Sequence, residues 1–187
     1  MTGLRGLTGT YTIDPAHSRI GFVARHAMVT KVRGSFNEFE GSVDLKDSVD
    51  FDGEHPANIK VQVTIDAASI DTRNAQRDEH LRGNDFLAMD TYPQLTFVAT
   101  TARETGDGLE LTGDLTIRGV TRSITVPFSY EGSATDPFGN LRVGFEGSVT
   151  INRKDYGVTW NAALETGGVL VGDKVVLEFE ISAIKVT

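Results

Sequence analysis

Between Leu109 and Tyr130 the chain places apolar residues at every second position: Leu109, Leu111, Leu115 and Ile117, then Ile124, Val126, Phe128 and Tyr130. A period of two belongs to a β-strand, and the break at Arg118 to Thr121, which contains Gly119, joins the two rows as a hairpin. Successive strand side chains point to opposite faces, so each row creates an apolar face that has to be hidden. A sheet built from many such strands can hide them by curling closed.

The same alternation recurs along the chain. It appears in Ile20, Phe22 and Ala24, in Phe39, Val43 and Leu45, in Ile59 to Ile65, in Leu95, Phe97 and Ala99, in Val143 to Ile151, and in Val175 to Ile181. Short turn-rich connections predict a mainly antiparallel, all-β barrel of about eight strands, a size that can hold its own side chains or one small ligand. Phe36 and Phe39 share no face on a regular strand, so a strand from Val32 to Leu45 is expected to bend around Asn37 and Glu38. One short, mostly polar helix is expected within Thr72 to Phe86, capped by Asp71 or Thr72 and ending at Gly83. Its place would be across a barrel end, with Leu81, Phe86 and Leu87 turned inward.

At 187 residues and 39% hydrophobic content, the chain suits a single domain over 1–187, with residues 1–9 as a flexible lead-in. A net charge of −8 argues against nucleic acid, whose binding relies on basic surface. The absence of cysteine excludes disulfides, thiolate zinc sites and a thiol nucleophile. No stretch approaches the roughly 20 apolar residues of a membrane span. Nor does the start of the sequence hold the apolar run of about 7 to 15 residues of a secretion signal, so a cytoplasmic protein is expected.

Several separated patterns carry a resemblance. They are Tyr11-x-Ile13-Asp14-x-x-His17-Ser18, Phe22-x-x-x-His26, Gly34-x-Phe36-x-x-Phe39-x-Gly41, Ser69-Ile70-Asp71-Thr72, Arg77-Asp78-x-His80-Leu81, and Phe86 to Tyr92-Pro93. Leu115-Thr116-Ile117-x-Gly119-Val120-Thr121 and Ile151-Asn152-Arg153-x-Asp155-Tyr156-Gly157 complete the series. In order and spacing the chain resembles the YceI-like family, lipocalin-like antiparallel barrels that bind polyisoprenoid or other long-chain lipids. The resemblance implies a non-enzymatic lipid carrier without a cofactor or metal, its partner a long-chain isoprenoid. It leaves a homodimer open.

If the barrel is hollow, its expected wall is Phe22, Phe36, Phe39, Phe97, Leu115, Phe128, Phe145 and Phe179, with Trp160 at a mouth. The alternative for the same residues is a packed core. A polar head is expected to meet Arg77 and His80, which share a helix face, and His26, whose parity with Phe22 would hang it into the cavity. Arg73 and Arg82 stand close by in sequence, while Asp78 and Glu79 make ordinary surface pairing the competing reading. His17, Ser18 and Asp14 match a hydrolytic triad by residue type only. Two further readings stand beside the carrier: an enzyme using His26 or His80 as general base, and a stress-response scaffold with an incidental ligand.

Overall fold

The computed structural model describes residues 3–46, 51–52, 59–165 and 167–186. Its strands are β1 (Gly9–Ile13), β2 (Arg19–His26), β3 (Thr30–Phe36), β4 (Phe39–Leu45), β5 (Ile59–Asp66) and β6 (Ile70–Asp71). After the helix α1 (Ala75–Arg82) follow β7 (Gln94–Glu104), β8 (Gly108–Ile117), β9 (Val120–Thr135), β10 (Leu141–Asn152) and β11 (Val171–Lys185). Hydrogen bonding runs β1-β4-β5-β7-β8-β9-β10-β11 and returns from β11 to β1, closing an eight-stranded antiparallel barrel. The β8–β9 connection is a two-residue turn, with Arg118 and Gly119 both left-handed at φ 52° and 72°.

Closure depends on how one edge of β11 is shared. Its last residues pair with β1 and its first ten with β2, so β1 and β2 are two halves of one long path along the same neighbour. The path breaks where Asp14 accepts the Ala16 N–H and caps a 3₁₀ turn over Pro15–His17. Its neighbours break at the same level, β3 from β4 at Asn37–Glu38 and β5 from β6 at the 3₁₀ turn Ala67–Ser69. Backbone bonds tie the breaks together: Asn37 N–H donates to Ser69 O at 3.1 Å, and Asp66 N–H to Glu38 O at 3.0 Å. The bend expected at Asn37 and Glu38 therefore divides one strand into two. β2 and β3 continue past it as a hairpin, with β6 joined to their outer edge.

One expectation needs correction. The helix is capped by Asn74, whose side chain accepts the Arg77 N–H at 3.0 Å, while Asp71 accepts the Arg73 N–H instead. Ahead of β1, Leu4–Gly6 form a 3₁₀ turn and Leu4 is 3% exposed among apolar side chains at one barrel end. Among the described residues, no helix is long and apolar enough to cross a membrane.

Arg153 is buried, although its sequence context reads as a strand end with local pairing. Its guanidinium donates to the carbonyls of Val158 and Trp160 at 2.8 and 2.9 Å, and to those of Gly172 and Val171 at 2.9 and 3.3 Å. The carbonyls of Val158, Trp160 and Gly172 are thus held by one forked donor, which shares that of Val171 with the Asn161 side chain. Arg153→Met should lower unfolding free energy by about 2–4 kcal/mol, because it removes the donor to the first three acceptors without removing much volume; urea titration reads the loss.

Arg142 plays a comparable role at the other end, donating to Asp14 and to Asp136, each at 2.8 Å. The Asn140 N–H, then Arg142, hold the Asp136 carboxyl down at about 2, and Arg142, then His17, lower that of Asp14. Both folded values lie below the ordinary 3.8, so this stabilisation is complete above that value and is lost as pH falls towards 2. Asp136→Asn should flatten the acid limb of a urea-midpoint profile over that interval.

Candidate functional site

The barrel surrounds a cavity of about 140 Å³, roughly ten times the 10–15 Å³ that one water requires. Among the described residues every side chain on its wall is apolar apart from the Tyr11 hydroxyl. On β8 alone Leu109, Leu111, Leu115 and Ile117 reach it, a span of roughly 26 Å along the strand, or about 20 Å along a tilted barrel axis. Away from that hydroxyl such a space offers water no partners.

Six of the expected wall residues, Phe36, Phe97, Leu115, Phe128, Phe145 and Phe179, line this cavity. Phe97, Phe128, Phe145 and Phe179 point inward and still keep accessible surface, because that surface faces the void. Phe128 and Phe179 approach with ring centres 5.9 Å apart, and Tyr130 and Phe145 at 5.2 Å. Burial, then the neighbouring Tyr130, push the Tyr11 hydroxyl above its ordinary pKa, so it remains a neutral donor.

Phe22, Phe39 and Trp160 stand elsewhere. Phe39 is packed in the core beside the strand breaks, and Phe22 fills the space over Gly34, where an added Cβ would also meet Thr72. Trp160 joins His80 and Phe86 in a ring cluster with centres 4.8 to 5.4 Å apart, beside the helix. Leu81, Leu87 and Met89 pack below it on the core that ends the cavity, so the helical segment covers this barrel end.

The polar group expected to receive a head is already engaged. Arg77 donates to the Thr72 hydroxyl and carbonyl at 2.7 and 2.8 Å, and Arg82 to the carbonyls of Ala68 and Ile70. Buried Asp78 accepts from the Thr72 N–H and hydroxyl. His80 is bound to Asp85 at 2.9 Å. These side chains tie a short helix to the 3₁₀ turn before it, which propensity alone could not anchor. His26 has the inward parity of Phe22 but lies at the strand end, where the wall has stopped, and is exposed and absent from the cavity wall. Nor do His17, Ser18 and Asp14 assemble: His17 meets Asp14 at 2.7 Å, while Ser18 exchanges bonds with the Ser182 backbone.

Tyr156 stands in the sequence only as part of a motif, with no role assigned to it. Its hydroxyl is buried without a hydrogen-bond partner among the described residues, and burial raises its pKa. Tyr11 was visible only as an aromatic in a motif; its inward parity with Ile13 was the available signal.

The chain matches the YceI-like domain over residues 11–183. It belongs to the YceI-like family. A UPF0312 protein of Staphylococcus aureus is 40% identical over 174 residues, covering 92% of this chain and 95% of that one. A UPF0312 protein of Pseudomonas aeruginosa is 39% identical over 159 residues, covering 84% and 80%. Among solved structures, Burkholderia cenocepacia BcnA superposes with a TM-score of 0.73 at 28% identity, over 91% of this chain and 98% of that one. A polyisoprenoid binding domain from Saccharophagus degradans, implicated in plant cell wall breakdown, gives 0.70 at 15% identity over 94% and 98%, a likeness of fold.

Packed and cavity-facing rings of this YceI-like barrel should respond differently to truncation. Phe39→Ala should cost about 3–5 kcal/mol in lipid-free protein, while Phe128→Ala should cost about half that or less, since part of its ring has no packing partner to lose. Equal losses in urea titrations would mean that both rings sit in solid core.

Proposed function

We propose that this protein binds a long-chain amphiphilic lipid, a polyisoprenoid before others, and carries it unchanged inside the barrel. The observation that supports this reading is the wall: an elongated cavity with a single polar group along it among the described residues. The name of the Saccharophagus domain, which shares the fold, points to the same ligand class.

The energetics agree. At about 0.8 kcal/mol per buried methylene, a five-carbon unit offers on the order of 4 kcal/mol, and a few units outweigh the 4–15 kcal/mol cost of immobilising a ligand. No directed polar contact is needed for affinity. Phe36, Phe97, Leu115, Phe128, Phe145 and Phe179 form the tail site in this reading, and Tyr11 supplies the one hydrogen bond available within it.

Protein purified without detergent should yield a long-chain isoprenoid lipid to mass spectrometry of its organic extract. Phe97→Arg or Phe128→Arg should abolish that content while the far-ultraviolet circular dichroism of the barrel persists. Protein that is empty as isolated and takes up no added polyisoprenoid alcohol would refute the proposal.

A further inference from the structure

From Pro15 to Asn37 the chain has no Asp or Glu, yet it carries Arg19, Arg25, Lys31 and Arg33, in a protein whose net charge is −8. Arg19 is paired with Glu178. The other three are exposed, and none has an ion pair among the described residues. Arg25 and Lys31 stand directly opposite each other across β2 and β3, and Arg33 follows Lys31 on the same outward face. Like charges in directly opposed positions are unfavourable within a sheet. Lys174 extends the patch on β11, whereas the nearby acid Asp173 is already matched by Lys154 at 3.3 Å.

The tip of the same hairpin is apolar. Met28 and Val29 are 61% and 75% exposed. Ala27 and Met28 form the turn at φ 51° and 65°, closed by Val29 N–H to His26 O, a geometry that Asn-Gly would adopt with less strain. Met28 leans over Gly168, which puts it beside exposed Val169. The tip thus keeps protruding apolar side chains at a position where local conformation favours others.

We infer that the β2–β3 hairpin is a docking element for the surface of an anionic phospholipid bilayer, Met28 and Val29 entering the acyl boundary while Arg25, Lys31, Arg33 and Lys174 meet lipid phosphates. A few apolar side chains ringed by cations is the composition such interfaces select. The acidic remainder of the protein is repelled by the same surface, so this end faces it. The hairpin pairs with the start of β11, and Ala27 N–H bonds Leu170 O, which puts it next to the loop that follows Trp160 and beside the helix-covered end of the cavity. The inference goes beyond the carrier reading, and its test separates the two.

Flotation with vesicles of phosphatidylcholine, with and without phosphatidylglycerol, is the experiment. The protein should float only with phosphatidylglycerol, and less as salt is raised. Arg25→Ser and Lys31→Ser should each weaken partitioning about fivefold, the change that about 1 kcal/mol per basic residue represents. Met28→Asp with Val29→Asp should abolish it, with melting temperature and co-purified lipid unchanged. Absence of flotation, indifference to phosphatidylglycerol, or wild-type flotation by the variants would overturn the inference. So would a concentration-dependent dimer lost in Met28→Asp, which would assign the patch to a second copy of the chain. Protein that is empty as isolated, takes up no added polyisoprenoid alcohol and still floats with phosphatidylglycerol would refute the carrier and support the docking.

Discussion

An eight-stranded sheet rolled shut has a width set by strand number and tilt, while its contents are set by the side chains each strand turns inward. Here the closing contact is β1 on β11, three residue pairs from Tyr11–Lys185 to Ile13–Ala183. That seam is short because the rest of the β11 edge is occupied by β2. The arrangement turns three consecutive strands at the same height, leaving β1, β4 and β5 in the barrel and releasing β2, β3 and β6 beyond it. Both the void and the projecting hairpin follow from that division.

The parts of this architecture legible in sequence were those governed by local period. β8 and β9 carry long alternation, broken at Gly113 and Arg122, and a turn with Gly119, so neither needed tertiary information. β6 has two residues and β1 five, too few for a period to register, and their existence depends on partners distant in the chain. The expected strand through Asn37 was right in direction and bend, but only the carbonyl of Ser69 and the amide of Asp66 explain why it divides there. Arg153 was illegible for the same reason: its acceptors lie on segments that meet only in the fold.

At the site, parity succeeded wherever the wall was continuous and failed at its ends. Phe97, Phe128, Phe145 and Phe179 sit mid-strand and face the cavity as alternation requires. His26, counted on the same rule, has no wall left to define an inside. Arg77 and His80 do share a helix face, yet a helix of eight residues with little apolar surface needs those side chains for its own attachment. A basic cluster can therefore look like a head-group receptor while it serves as a set of clamps. Spacing cannot separate the two, because both uses demand the same donors on the same face.

A cavity of this size links stability to occupancy. An unfilled void of about 140 Å³, at about 24 cal/mol per Å³, corresponds to a deficit on the order of 3 kcal/mol, a sizeable fraction of a domain's net stability. Side chains larger by a few methylenes at wall positions such as Val126, Val143 and Ala183 would remove it. A tail lying along that axis restores the missing contacts and needs no specific length to do so. In the carrier reading such a wall distinguishes ligands poorly by chain and well by polarity, since among the described residues a charged group drawn into it would meet only the Tyr11 hydroxyl. Discrimination among tails of equal greasiness then falls to the ends of the barrel, where the aromatic cluster of His80, Phe86 and Trp160 stands at one and the N-terminal leucines at the other.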